Sequence, residues 1–529
     1  MKRLKFLVLL LTALCSLLPA LLQGQVDTAW IRRYNGSADS VDFPHALTFD
    51  ALGNIYISGA SYGIGTDCDY ATLKYNADGG QQWVARYNGP ANGWDASYSI
   101  AVGSGGSVYV TGISRGTGQQ DDYATIKYNA EGIQQWLRRY NGVGNSDDWA
   151  FCVAVDSQNN VYVTGMSYIS STNFDYDYVT IKYNSVGDEQ WVTRYDGPGH
   201  SWDWVKAMVV DEQSNVYVTG ASLISGIDWD YTTVKYNSNG VQQWEARYNG
   251  PTNRADCPSS ITIDEQGNVY VTGKSIRSDT EQDYATIKYN SNGVEQWVRI
   301  YNSVGNGYDE ARAIAIDGQG GVYVTGNSAT VKYNSEGVEQ WVRIMDLAAN
   351  SIAVDNQNNV YVTGYYIQDY GTKKYNSDGI LQWVARYNGP GNSYDEACAI
   401  AVDSVGNVYV TGCSYGSVTG SDYLTIKYVQ MQRIEEERLT LDAKCLTLEM
   451  YPNPAKAFFT LRLPQSADRL QIKIFDVTGK LVKEIGECLR QPRNDKIGEL
   501  RVSLKGISPG IYFLQLTNDP ETKKLVITK

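Results

Sequence analysis

Histidine is almost absent: His45 and His200 are the only two in 529 residues. That scarcity leaves few side chains that titrate near neutrality and removes the commonest metal ligand. Cysteine is sparse and scattered. Beyond Cys15, the seven at Cys68, Cys152, Cys257, Cys398, Cys413, Cys445 and Cys488 make neither a paired framework nor a metal cluster. Cys398 and Cys413 fall on adjacent predicted strands, where they either pair or remain buried thiols. Positive charge is also short, with 45 Lys and Arg against 58 Asp and Glu, a net charge of −13. Such a chain has no electrostatic reason to bind phosphate backbones, which excludes nucleic acid as a partner.

Long apolar runs are missing after the N-terminus. The run from Phe6 to Leu22 follows Lys2, Arg3 and Lys5, contains Pro19 and precedes Gly24. This layout predicts a secretory signal peptide over residues 1–24, the alternative being a retained anchor. Leu14 before Cys15 argues against a lipoprotein. Cleavage takes three cations from the 45, leaving 42 against 58 acidic residues, a net charge of −16. No transmembrane segment is expected in the mature chain.

What the sequence has in abundance is repetition. A tract of the form N-V-Y-V-T-G recurs around Tyr56, Tyr109, Tyr162, Tyr217, Tyr270, Tyr323, Tyr361 and Tyr409. A Trp keeps step with it, at Trp30, Trp83, Trp136, Trp191, Trp244, Trp297, Trp341 and Trp383. A fixed period of this size signals a propeller, solenoid or array. Within the second unit, YSIAVG, SVYVTG, DYATIKY and QQWLRRY are rich in Val, Ile, Tyr and Thr, with turn residues between them. Four short strands per unit, eight times over, predict an all-β, eight-bladed β-propeller over residues 25–428. The last unit lacks a fourth strand, and AWIRRY at 29–34 supplies one. The N-terminal strand is therefore expected to close the ring, and the recurring Trp to wedge between blades.

The tracts DEQGNVYVTG (264–273) and DSVGNVYVTG (403–412) resemble the bacterial β-propeller repeat family built on D-x-x-G-N-x-Y-V-T-G. That family implies the fold and no shared catalytic residues. After a charged linker at 429–445, residues 446–529 alternate apolar strands with turns, which suggests a small Ig-like β-sandwich. Their YPNP motif, FDVTGK hairpin, SPGIYF strand and basic tail resemble the C-terminal sorting domain of type IX secretion substrates. The resemblance implies the type IX machinery as a partner and a secreted or outer-surface location. An adhesive Ig-like domain is the alternative.

Catalytic motifs do not survive scrutiny. GASYG, GISRG and GCSYG match the nucleophile-elbow pattern, but each Ser follows a repeated strand into a loop rather than a helix. The periodic Trp is similar to that of quinone-dependent dehydrogenases, yet no vicinal cysteine pair accompanies it. An Asp recurs eight positions before the turn Asp (or, once, Gly103), at Asp42, Asp95, Asp148, Asp203, Asp256, Asp309 and Asp395, with Leu347 in the seventh unit. Such a ring suits loop capping better than a cation such as calcium, so no cofactor is expected.

Residues that break the repeat are more telling. Trp94, Trp149, Trp202, Trp204 and Trp229 are extra to the pattern and fall in the longer loops of neighbouring blades, near His200 and Asp203. Loops on a rigid scaffold concentrate binding residues. Aromatic faces beside carboxylates and amides suit a sugar, the alternative being that these Trp cover loop cores. The expected function is an exported binding module for glycan or a surface protein. A polysaccharide lyase or glycosidase using loop carboxylates, and a purely structural surface protein, are the other readings.

Overall fold

A computed structural model describes residues 26–430, except 171–174, 225–227, 277–281 and 305–306, and seven strands between 449 and 527. The expected signal peptide and most of the expected linker lie outside the described residues. The chain divides into two compact units after Arg433.

The first unit is an eight-bladed propeller. In the second blade, Asp95–Val102, Val108–Arg115, Asp121–Tyr128 and Gln134–Tyr140 pair in order as an antiparallel sheet. Seven blades repeat this plan. The eighth is assembled from both ends: Asp395–Val402, Val408–Tyr415 and Ser421–Gln430 are completed by Val26–Tyr34. Trp30 stands opposite Lys427 and Tyr34 opposite Tyr423. The closure expected from the sequence is observed, with the strand starting earlier than its motif. First strands of adjacent blades lie side by side around the axis, and the eighth blade meets the first in the same way.

The repeat motif encodes its own turn. Asp50 Oδ1 accepts the Leu52 and Asn54 amides, both at 2.9 Å, while Oδ2 accepts Asn54 Nδ2 at 2.8 Å and the Tyr56 hydroxyl at 2.9 Å. Asp264 repeats all four bonds. Gly53 in this turn has φ of +75°, which explains the glycine of D-x-x-G-N. The buried strand polarity is paired too: Thr111 and Thr125 bond across strands at 2.9 Å.

The recurring Trp does wedge between blades. Trp83 lies between Tyr56 of one blade and Tyr128 of the next, and its Nε1 donates to the Ala130 carbonyl at 3.0 Å. It seats on Gly132, where an added Cβ would come within 2.6 Å of the indole. Trp383 is the exception that marks the seam. Among the described residues its Nε1 has no hydrogen-bond partner, and the next blade is completed by Val26–Tyr34 rather than by a continuous hairpin. There Gln430 substitutes, donating to the Tyr361 hydroxyl and the Gly406 carbonyl at 2.6 Å each.

Cys398 and Cys413 are free thiols, and Cys398 donates to the Pro44 carbonyl at 3.3 Å. No helix among the described residues is long and apolar enough to cross a membrane. In the second unit the described strands make two antiparallel sheets, Glu449–Tyr451, Phe458–Leu463 and Gly498–Ser503 in one and Arg469–Asp476, Leu481–Leu489, Gly510–Leu516 and Thr522–Ile527 in the other. The Ig-like connections between them lie outside the described residues.

Candidate functional site

Tight turns join first to second and third to fourth strands, so they share one end of the propeller. The second-to-third loops and the blade-to-blade loops share the other. In the blade-to-blade loops the repeated Asp is a clamp. Asp95 accepts the Gly89 amide at 2.5 Å and Asp148 the Gly142 amide at 2.6 Å. Asn88 and Asn92 bond across the same loop at 2.7 Å, with Asn92 at φ of +51°. The repeated carboxylates thus act as separate loop supports, one in each of seven blades.

The third blade departs from this plan. Asp196 and His200 replace the Asn pair, with His200 Nδ1 2.7 Å from Asp196 Oδ2 and the imidazole largely exposed to solvent. The hydrogen bond to Asp196, then its charge, raises the His200 pKa. Asp203 lies beneath, buried, accepting the Gly197 amide at 2.6 Å. Asp175, Asp177 and Asp196 place one carboxylate oxygen each within 4.8 Å of one another, a geometry able to hold a divalent cation. Burial, then the like charges of Asp175 and Asp196, pushes Asp177 up to about 7.

The five extra Trp separate into two groups. Trp202 is 39% exposed and packs edge-on against Tyr176 at 5.4 Å and Trp229 at 6.4 Å. Tyr176 in turn meets Trp149 at 6.2 Å and Tyr168 at 5.0 Å. Trp149 and Trp94 both pack on the small cluster of Ala60, Cys68, Ala96 and Ile113. These side chains form one aromatic ladder across the long-loop end of blades two to four. Trp204 stands apart at 40% exposure, under the Lys206 ammonium at 3.6 Å. Tyr176, in the middle of the ladder, was hidden from sequence reasoning because it belongs to an extension of its strand, Asp175–Tyr183, ahead of the repeated DYVTIKY motif.

A second arrangement was also missed. Every first strand carries a β-bulge at the same register, five residues before the position of the turn Asp. Bulges re-aim a side chain and recur beside functional sites. Around the axis the bulged residues all differ, while the residues on either side of them are all Ala, Ser, Cys, Val or Pro. Blades one to three present His45, Tyr98 and Phe151, whose rings touch in series at 5.1 and 5.8 Å. Blades four to six present Lys206, Ser259 and Arg312. Asn350 and Cys398 complete the ring, and Arg312 donates to Asn350 Oδ1 at 2.6 Å. One arc is aromatic and the opposite arc cationic.

Residues 449–528 match the model of the secretion system C-terminal sorting domain. Residues 247–278 and 382–417 match that of the beta-propeller repeat. None of the curated proteins matches the chain significantly. Similar solved structures include a protein of unknown function from Bacteroides caccae, at 12% identity, 50% of this chain, 90% of that chain and a TM-score of 0.31. A fungal alcohol oxidase of the AA5 family, in complex with copper, gives 13%, 95%, 99% and 0.40. A PL25 ulvan lyase gives 11%, 61%, 90% and 0.37. Likeness this distant carries no argument about activity. The eight repeated blades make the first unit a β-propeller that carries the propeller repeat, and residues 449–528 add a type IX secretion sorting domain.

Proposed function

We propose that this exported propeller is a binding module that holds a glycan on its long-loop end. The observation that carries the reading is the ladder built on Trp202, Tyr176 and Trp229, aromatic surface outside the repeat and partly open to solvent. Trp94 and Trp149 support it from below. His200 borders it, and Asp203 fixes the loop that presents Trp202, whose carbonyl accepts the Leu223 amide at 2.9 Å. Aromatic faces ringed by carboxylates and amides offer a sugar both its apolar and its hydroxyl contacts. The sorting domain implies delivery by the type IX machinery to the cell exterior.

Catalysis is the second reading, and one observation favours it. Burial lifts Asp177 and Asp203 each to about 7, a range suited to a general acid. Both side chains are nearly inaccessible, at 2% and 1% exposure, so a polymer on the surface does not reach them. The mature full-length chain, screened against a polysaccharide panel for retention and for new reducing ends or unsaturated products, decides between the two. Retention without product supports the binding module. Product formation transfers the function to the loop carboxylates, and neither result leaves a protein partner or a structural role.

A further inference from the structure

The cationic arc is only partly neutralised by the fold's own contacts. Lys206, half-buried on its bulge, rests its ammonium on the Trp204 ring and has no ion pair or hydrogen-bond acceptor for that ammonium among the described residues. Burial, the largest cause, lowers its pKa; Cys257 and Glu310 oppose that shift and the neighbouring Lys274 adds to it. A charge left this way costs stability unless something outside the protein meets it. From the next blade Lys274 reaches Glu310 at 3.2 Å and lies 5.8 Å from the centre of the Tyr308 ring. Arg312 Nε is 3.7 Å from the other Glu310 oxygen. Two cations therefore share one carboxylate, with the Lys206 ammonium unpaired beside them, in a chain whose net charge is −13. Trp204 and Tyr308, 40% and 46% exposed, flank them, each with part of its ring open to solvent beside the cation it carries. The first strands start at the long-loop end, so the group lies at that mouth of the axis.

We infer that Lys206, Lys274 and Arg312, with Trp204 and Tyr308 beside them, bind an anionic sugar unit of an acidic polysaccharide. The rings cover the apolar face of the sugar, and the cations meet its carboxylate or sulfate through charge-assisted hydrogen bonds. Glu310 holds Lys274 and Arg312 in place while the ligand is absent, and competes with it. This inference rests on the glycan-binding reading and gives that reading its ligand class.

The test is affinity electrophoresis and calorimetry of the mature full-length chain with polygalacturonate, dextran sulfate and neutral dextran at fixed salt. The first two probes separate carboxylate from sulfate as the anion. Retention by either acidic polymer over neutral dextran is expected. Lys206→Gln and Arg312→Gln should each weaken it by about tenfold or more. Glu310→Gln, which removes the competitor and keeps the shape, should strengthen it, so the result does not hang on one variant's folding. Binding of neutral dextran as tightly as of the acidic polymers, lost in Trp202→Ala but unchanged in the charge variants, overturns this site and leaves the aromatic ladder standing. Silence towards all three polymers overturns this site, while the wider panel still tests the ladder.

Discussion

Two kinds of tryptophan coexist in this chain, and substitution should separate them. Trp136 is 7% exposed, stacks between Tyr109 and Tyr183 at about 6 Å and donates to the Ser185 carbonyl. Trp136→Ala should cost about 3–5 kcal/mol in chemical denaturation. Trp202→Ala should cost about 1 kcal/mol or less and act instead on glycan retention. Equal losses of stability would place Trp202 in the core and sink the ladder as a binding surface. The distinction was readable in advance, because one Trp keeps the register of the repeat and the other breaks it. Lys206 and Arg312 were equally readable in principle. They occupy one fixed register in which eight blades hold eight different residues, but a reader tracing what recurs passes over what varies. Their proximity to Lys274 and Tyr308 depends on strands from different blades meeting at the axis, and no local pattern states that.

Among the elements, Val26–Tyr34 decides whether the ring is closed. It pairs along Ser421–Gln430, places Trp30 against Tyr75 and Tyr409, and ties Arg33 to Asp422 at 2.7 Å. Deleting residues 26–34 removes a wedge and bares the edge of an inner strand. A lower melting temperature in calorimetry and concentration-dependent association in light scattering are expected. An unchanged melting temperature would refute closure by this strand. The existence of the strand followed from counting, since seven units have four segments and the eighth has three. The bulges did not, because a bulge alters the hydrogen-bond register without altering the apolar pattern. The sixth blade has shortened elements, Val322–Gly326 and Ala329–Tyr333, joined by two residues where the second blade uses five.

At the scale of the whole molecule, buried carboxyls set the response to pH. Burial, the largest cause in each case, lifts Asp148, Asp230 and Asp256 to about 6, and Asp177 and Asp203 to about 7. Between the ordinary value of 3.8 and these values, the folded chain holds protons that the unfolded chain has released. Stability therefore falls as pH rises through that window. The turn aspartates act in the opposite sense. Burial favours lifting Asp50 and Asp156, but hydrogen bonds from Asn54 and Asn160 outweigh it and hold both below 3.8, so their contribution disappears in stronger acid. The melting temperature should peak at mildly acidic pH and drop by several degrees towards pH 8. A scan by differential calorimetry that rises steadily from pH 5 to pH 8 would show these carboxyls to be charged and satisfied.

The seam between the two chain ends also has a mechanical meaning. Ser421–Gln430 is the last strand before the sorting domain, and it is hydrogen-bonded on both sides, to Val26–Tyr34 and to Val408–Tyr415. Tension applied through the tail enters the propeller along this strand. Two antiparallel ladders must then shear together before the chain yields, whereas an edge strand would slide past one neighbour only. A propeller tethered by its C-terminus would meet drag at a strand clasped on both sides.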